Sequence, residues 1–434
     1  MSSETMSVVP PTRRRFALPH SARWPLGFAI AALALFALYY FVYYGPVDPD
    51  FKAWVQRWLS IASMNESLVW IMCALGLNIV VGYAGLLDLG FVAFWAIGGY
   101  TVGWLMSAFF QQVDINILGT APAGQRGIHI NFWIVLVIAG ALCALMGVFI
   151  GAPTLRLRSD YLALVTLGFG EIIPQLFYNG DNFLQTGFNL TNGTKGILPV
   201  DPVEAAAFDK SGVGFRNLGV FDHLSKYVIF VFLVVIIVFV SLRLREGRLG
   251  RAWLAIREDE LAASAMGVPL MRTKLSAYAV GAIAGGFGGA AFAIHINGVL
   301  PDRFKFDISI ILLAMVVLGG MGNVWGVILG AFAISWVNST GLPQAGNAFN
   351  ESFGTNIDFP SFNFLLFGAV LVLMMLFRRE GILPEARTRL VLREPGRTEA
   401  ESLGADMEAQ APELEALPDV EVAGEATTDE GKRS

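Results

Sequence analysis

The sequence contains a series of apolar runs, most of them close to twenty residues long. A helix of about twenty apolar residues crosses the hydrocarbon core of a bilayer. The run 308–338 is too long for one plain span, and the glycines of 319–322 interrupt it, so we divide it into two helices. The division gives about ten membrane segments, an even number that places both termini on one side. The runs lie at 25–44, 64–82, 88–110, 132–152, 160–178, 226–243, 275–297, 308–338 and 361–377.

The composition supports a membrane protein. Of the 434 residues, 55% are hydrophobic and 15% are charged. A soluble domain is typically about 45–50% apolar, even with glycine counted, and about 25% charged. These values exclude a disordered chain and argue against a soluble enzyme of two or three domains. The sequence therefore predicts an all-α, polytopic membrane helix bundle. Cys73 and Cys143 lie inside apolar runs and are interpreted as buried hydrophobic residues.

Charge divides the chain into three parts. We expect a polar N-terminal segment (1–24), a transmembrane domain (25–385) and an acidic tail (386–434). The net charge of −5 comes from eleven acidic residues within 399–430, a stretch without a basic residue, and the chain without these eleven charges is basic, with a net charge of +6. The tail is rich in Ala, Glu, Pro and Gly, so it cannot bury enough apolar surface to offset its chain entropy, and we expect disorder. A solvated tail and an acidic interaction tail both stay open.

Arginine and lysine placement orients the predicted segments, because cytoplasmic connections carry an excess of both. The connections 153–159, 243–274 and 378–379 are basic, whereas the loops 111–131, 179–225 and 339–360 are longer and more neutral. Both termini are therefore expected in the cytoplasm. No basic run is paired with aromatic surface of the kind that binds nucleic acid.

Two glycine-rich breaks interrupt apolar sequence, one in each half of the chain. They are GYAGLLDLG at 82–90 and GGMGNVWG at 319–326. Paired breaks of this kind are typical of inverted repeats around a central pathway. Two turns that arose independently are the alternative.

Two sets of glycines recur at four-residue spacing, so each set would form one smooth face of a helix. Such faces let membrane helices approach closely. A sliding surface between moving bundles and static close packing both fit the spacing. The sets are Gly281, Gly285 and Gly289, and Gly322, Gly326 and Gly330.

Three polar residues inside the apolar runs are candidates for a translocation pathway: Asn78, Asp88 and Glu171. A carboxylate at bilayer depth is costly and normally faces protein or water. Asp88 is also placed to cap the helix that follows it, and Glu171 fits a structural hydrogen bond equally well.

The basic connection 243–274 carries apolar residues at helical spacing, from Leu254 to Met266, and Gly267-Val268-Pro269 then ends the pattern. It predicts a short amphipathic helix within 250–268. Docking by a soluble partner and binding to the lipid surface are both open.

Several catalytic motifs are absent. Gly193-Thr194-Lys195-Gly196 does not complete a phosphate-binding loop, and the four histidines form no HExxH pair. The sequence also has no Gly-x-Ser-x-Gly elbow. We therefore predict no catalytic residue, no metal site and no cofactor bound by this chain.

Four blocks of sequence carry a family resemblance. They are LGLNIVVGYAGLLDLGFVAFWAIGGY at 75–100, SDYLALVTLGFGEII at 159–173, GRAWLAIREDELAASAMGV at 250–268 and VLGGMGNVWGVILGA at 317–331. In this order they resemble the LivM-type permeases of branched-chain amino acid ABC importers, over roughly residues 25–385.

The resemblance implies a bacterial inner-membrane importer. Its components would be two related permeases, two cytoplasmic ATPases that bind ATP and magnesium, and a periplasmic protein that delivers the amino acid. ABC importers carry a docking loop of the form Glu-Ala-Ala-x-x-x-Gly, and here Leu261 stands at the Glu position. The resemblance thus assigns ATPase docking to the helix within 250–268, with the charged residues facing the ATPase and the small residues allowing close approach. These residues are Arg257, Glu258, Asp259, Glu260, Ala262, Ala263 and Gly267.

Other functions compete with this one. Urea-importer permeases share much of the pattern, so a urea or short-chain amide importer is an alternative. A self-sufficient secondary carrier would use Asp88 or Glu171 to couple an ion or proton. An integral membrane hydrolase has no visible nucleophile and base.

Overall fold

The computed structural model of the chain describes residues 20–44, 46–119, 126–157, 159–182, 187–203, 223–378 and 381–383. These residues are mainly helical. The predictions for the first nineteen residues and for the tail 386–434 lie outside the described part. In chain order the described α-helices are α1 (His20–Tyr44), α2 (Pro49–Trp58), α3 (Ile61–Leu77), α4 (Val92–Leu105), α5 (Phe132–Thr154), α6 (Ser159–Tyr178), α7 (His223–Glu246), α8 (Arg248–Glu258), α9 (Glu260–Ala265), α10 (Leu270–Ile296), α11 (Asp307–Gly319), α12 (Val324–Trp336), α13 (Leu342–Phe353) and α14 (Asn363–Phe377).

The polytopic helical fold is confirmed. Among the described residues, seven helical segments are long and apolar enough to cross a membrane. Three shorter apolar helices lie at Gly27–Val42, Val92–Leu105 and Asp307–Gly319. Together they coincide with the ten apolar segments expected from the sequence, including the division of 308–338 into α11 and α12.

The predicted segment 88–110 is wrong at both ends. Helix α3 continues as π-helical turns over Asn78–Tyr83, and irregular backbone follows up to Phe91, so α4 begins at Val92. Gly85 in this stretch has φ +70°, a conformation that glycine adopts without steric cost. Helix α4 is therefore only 14 residues long, with irregular backbone before it and a short strand (Met106–Ser107) and turns after it.

Helix α10 is the centre of the bundle and packs mainly against α3, α4 and α5. Small residues line these contacts. A Cβ on Gly98 of α4 would overlap the carbonyl of Gly286 on α10. Because helices in lipid lack a hydrophobic drive toward each other, such close van der Waals contact is what holds them together.

A small sheet lies in a loop that the sequence predicts only as neutral. Strands β1 (Met106–Ser107), β2 (Ile115–Ile117) and β3 (Ile128–Ile130) have the order β1-β3-β2, with β1 antiparallel and β2 parallel to β3. The buried side chain of His129 on β3 contacts Asp201, with Nδ1 and Oδ2 2.6 Å apart. The amide of Asp201 also donates to the carbonyl of Met106, 2.7 Å away. The segment 187–203 is thereby attached to the sheet.

Candidate functional site

The two glycine-rich breaks meet inside the bundle. The side-chain oxygen Oδ1 of Asn78 accepts a hydrogen bond of 2.8 Å from the backbone N–H of Gly322, 244 residues along the chain. A Cβ on Gly82 would overlap both this oxygen and the nitrogen of Gly322. Only glycine at position 82 permits the contact. We call residues 78–85 and 319–323 together the break junction.

Asn78 is therefore a structural link in this conformation. It is 1% exposed and lies at the start of the π-helical turns. Turns of this kind inside membrane helices are frequent at functional sites. Its expected role in lining a pathway is not visible here, because its side chain is enclosed by the junction.

A short segment after the last membrane helix closes over the second break. The N–H of Ile382 donates to the carbonyl of Leu318 at 2.8 Å, and the N–H of Leu383 donates to that of Gly319 at 3.1 Å. The side-chain amide of Asn323 donates in turn to the carbonyl of Leu383 at 3.0 Å. Residues 381–383 thus fix the conformation of the break.

The basic connection forms two helices instead of the single helix expected within 250–268. We call residues 248–268 the docking loop. Helix α8 ends at Glu258, and Asp259 has extended backbone, with φ −156°. Its carboxylate Oδ1 accepts from the N–H groups of Leu261 and Ala262 at 2.7 and 3.0 Å, which caps α9. The single-helix prediction failed because the apolar residues keep their helical spacing across Asp259, so the spacing does not show that one helix ends and another begins there.

One face of the docking loop is attached to the bundle. The indole N–H of the buried Trp253 donates to the carbonyl of Thr273 and to the hydroxyl of Ser276, both at 3.0 Å. Ala263 of α9 is also buried. Lys274 on α10 forms an ion pair of 2.6 Å with Glu260. These contacts join both helices of the loop to α10.

Arg257 also points toward the bundle. Its guanidinium Nη1 donates to the carbonyl of Gly82 at 2.5 Å, and its side chain lies against Gly85. The expectation that Arg257 faces a partner protein is therefore wrong for this conformation. The guanidinium instead connects the docking loop to the break junction, because irregular backbone there leaves a carbonyl without a helical partner.

The outer face of the docking loop is apolar at two points. Leu261 is 80% exposed and Met266 is 85% exposed. Glu258, Asp259 and Ala262 are exposed beside them. Gly267 follows with φ +82° and no atom within 4 Å of a Cβ there, so it ends α9 in open space instead of allowing the close approach that we expected.

Asp88 is buried in the first break. Its carboxylate Oδ1 accepts from the N–H of Gly90 at 2.8 Å, in the turn just before α4. The neighbouring N–H of Leu89 donates to the hydroxyl of Thr166 on α6, and that of Val92 donates to Ser309 on α11. Side-chain hydroxyls therefore satisfy backbone groups that the break leaves unpaired. Asp88 thus stabilises the turn before α4, while the N-terminus of α4 itself has no side-chain cap, so its pathway role stays a prediction.

Glu171 lies on an exposed face of α6. At helical spacing this face also contains Leu164, Gly168 and Gln175. A Cβ on Gly168 would meet no atom within 4 Å. We call this set the α6 stripe. A carboxylate inside an apolar helix is too costly to face lipid, so the stripe requires protein or water beside Glu171.

The first glycine strip lies on α10 and faces α3 and α4. Gly281 packs against Val80 and Gly76, Gly285 packs against the ring of Phe91, and a Cβ on Gly289 would overlap the carbonyl of Trp95. Every member therefore contacts another element of the bundle.

The second strip is a helix face only in part. Gly326 and Gly330 lie on α12 and pack against Gly319 of α11. Gly322 does not share their face, because it lies in the turn before α12 with φ +87°. Its N–H makes the contact with Asn78 instead.

Sequence reasoning missed several residues of these sites. Thr166 and Ser309 accept backbone hydrogen bonds of the first break, and Trp253 and Lys274 attach the docking loop. None has a spacing that distinguishes it from its neighbours. Lys274 alone carried a signal, as a charged residue at the start of an apolar run. In the part of the chain that is described, no three His, Cys, Asp or Glu side chains are close enough to hold a metal ion.

A bundle of membrane-spanning helices with two central breaks and an anchored loop at one end is the architecture of a transport protein. A family model described as the permease component of branched-chain amino acid transport systems matches residues 60–375. The chain belongs to this family.

Relatives in the family support the assignment. The chain is 37% identical over 340 residues to the LivM permease protein of the high-affinity branched-chain amino acid transport system of Escherichia coli, covering 75% of this chain and 70% of that one. It is 37% identical over 348 residues to LivM of Salmonella typhimurium, covering 77% and 72%. It is 23% identical over 308 residues to BraD of Pseudomonas aeruginosa, covering 66% and 94%. No solved structure matches the chain.

The family resemblance of the four sequence blocks is thereby confirmed, and the chain is a multi-pass permease subunit of the inner membrane.

Proposed function

We propose that this chain forms half of the translocation pathway of an ATP-driven importer for branched-chain amino acids. A second, related permease forms the other half, two cytoplasmic ATPases dock below, and a periplasmic protein delivers the substrate. The chain itself binds neither ATP nor magnesium and has no catalytic activity. The docking loop carries the proposal, because one of its faces is fixed to the bundle while the other presents two large apolar side chains to solvent.

The docking loop is suited to receive an ATPase. Exposed leucine and methionine side chains are costly in water and favourable in an apolar cleft, and methionine adapts its shape to the cleft. Leu261 stands where the docking motif of ABC importers has a glutamate. The contact made by this loop is therefore more apolar than the motif implies.

The α6 stripe is the proposed surface on the pathway. Its exposed carboxylate requires a neighbour that is not lipid, and a second permease with water between the two subunits supplies one. Of the three pathway candidates, Glu171 fits this role, whereas Asn78 and Asp88 contribute to the structure of the breaks in this conformation.

The orientation follows from the docking loop. Its basic residues and its ATPase partner place it in the cytoplasm, together with both termini of the chain. The small sheet, the segment 187–203 and helix α13 with the segment that follows it then face the periplasm.

The relatives belong to transport systems for branched-chain amino acids, and this supports branched-chain amino acids as the substrate. Uptake by reconstituted vesicles tests the proposal. We expect concentrative uptake of leucine, isoleucine or valine when the chain is combined with its second permease, ATPases, binding protein and ATP. Uptake against a gradient by this chain alone would contradict it and favour the secondary carrier. If the full assembly takes up urea or short-chain amides but no branched-chain amino acid, the alternative substrate class is correct.

A docking variant tests the loop itself. We expect the double substitution Leu261→Asp and Met266→Asp to abolish co-purification with the ATPases, because charged side chains would be buried in an apolar cleft. Both positions are exposed in the chain, so insertion and thermal stability should stay unchanged. The control is the exposed pair Ile172→Asn and Tyr161→Asn on α6, which leaves the loop intact. Normal co-purification of the docking variant would contradict the assignment.

A further inference from the structure

A groove lies at the end of the bundle opposite the docking loop. The two ends of the bundle are the two ends of helix α3. Arg257 of the docking loop contacts the π-helical turns that follow α3, whereas Trp58 of the groove lies just before the first residue of α3. The groove has a volume of about 350 Å³ and lies between the end of α2 and helix α13. The transport function as proposed does not use it.

Two tryptophans form one wall of the groove. The rings of Trp58 and Trp336 lie 6.5 Å apart at an angle of 23°, and the indole N–H of Trp336 donates to the carbonyl of Trp58 at 3.0 Å. Tryptophans are enriched at the level of the lipid head groups, where their apolar and polar parts are both satisfied. The electron-rich faces of such rings also attract an ammonium group.

Opposite charges line the same groove. Arg57 comes from α2 and Glu351 from α13, and both side chains are exposed. Within the described part of the chain, neither side chain forms an ion pair. Ala345 and Ala348 lie on the same face of α13 and leave space beside them. The groove therefore offers one cationic and one anionic partner with an aromatic wall.

The helix beside the groove is suited to the membrane surface. Phe51, Trp54, Val55 and Trp58 share one face of α2, where Val55 is buried and the three aromatic residues are exposed. The remaining faces carry Lys52, Gln56 and Arg57. A short helix with an aromatic face and a polar face lies in the plane of the head groups. This placement brings the groove to the depth of the lipid phosphates.

We propose that the groove binds the head group of a zwitterionic phospholipid that carries a phosphate and an ammonium group. The guanidinium of Arg57 binds the phosphate, since charge-assisted hydrogen bonds to phosphate suit its geometry. The carboxylate of Glu351 and the faces of the two tryptophans bind the ammonium group. The open side of the groove leaves the acyl chains in the bilayer beside α2.

The test uses the full chain, purified in detergent, freed of lipid and titrated with phosphatidylethanolamine while bound lipid is counted by native mass spectrometry. We expect Arg57→Ala and Glu351→Gln each to weaken binding by about tenfold, equivalent to about 1.4 kcal/mol. Arg248→Ala, an exposed arginine at the docking-loop end, is the control and should bind normally. All of these positions are exposed, so thermal stability should not change.

Charge reversal and competition sharpen the test. In Glu351→Lys the preference should shift to phosphatidylglycerol, whose head group is anionic and lacks the ammonium. Wild-type chain that binds phosphatidylglycerol as tightly as phosphatidylethanolamine would overturn the proposal. Displacement of the lipid by free leucine would also overturn it and assign the groove to a small zwitterion. Soluble phosphoethanolamine should compete only weakly, because it lacks the acyl chains.

Discussion

Replacing Gly289 with leucine is expected to prevent the bundle from assembling. A Cβ at this position would overlap the carbonyl of Trp95 and approach the nitrogen of Gly99, and both are backbone atoms of α4. Backbone cannot move aside as a flexible side chain does, so the two helices must separate. Separation removes the close packing that holds helices together in lipid. Overpacking a core costs about 1–3 kcal/mol, and a backbone overlap at the centre of the bundle should exceed that range.

The measurement is the yield of monodisperse protein in mild detergent, together with its thermal stability. We expect little folded protein from Gly289→Leu. The matched control is Gly368→Leu on α14, because a Cβ there meets no atom within 4 Å. Equal yield and stability of both variants would show that α4 and α10 do not pack as closely as described.

Replacing Arg257 with alanine is expected to uncouple the importer. The guanidinium joins the docking loop to the carbonyl of Gly82, and Gly82 in turn contacts Gly322 across the break junction. If an ATPase docks on the loop as proposed, its movement would reach both breaks through this side chain. A hydrogen bond from a charged group contributes about 1.5–3 kcal/mol. Its loss should lower ATP-driven uptake by about tenfold or more, since 1.4 kcal/mol corresponds to a factor of ten.

Two measurements separate uncoupling from loss of assembly. The Arg257→Ala importer should still co-purify with its ATPases, because Leu261 and Met266 stay exposed, and it should hydrolyse ATP without matching uptake. Arg257→Lys should restore part of the uptake, since lysine also donates to a carbonyl. Arg251→Ala is the control on the same helix, where, among the described residues, the side chain donates to the carbonyl of Glu246 within the loop itself. Normal uptake by Arg257→Ala would leave the junction without a coupling role.

The sequence determined the membrane architecture because hydrophobicity and length alone define a span. All ten segments were found from apolar runs, and the glycines at 319–322 placed the division of the longest one correctly. Four sequence blocks were enough to identify the family, which the comparisons confirm. Apolar runs and short sequence blocks, both of them local features, were therefore enough to predict the class of fold and the class of function.

Only the tertiary structure decided which face of each element meets protein. Apolar periodicity left partner docking and lipid binding both open for the helix within 250–268, and only the structure shows that Leu261 and Met266 are exposed while Ala263 is buried. The direction of Arg257 was also missed. Its side chain is long enough to extend either into solvent or toward the bundle, and its position in the sequence does not decide between the two. The contact of Asn78 with Gly322 depends on how α3, α11 and α12 pack together. No local pattern specifies a hydrogen bond between residues so far apart in the chain.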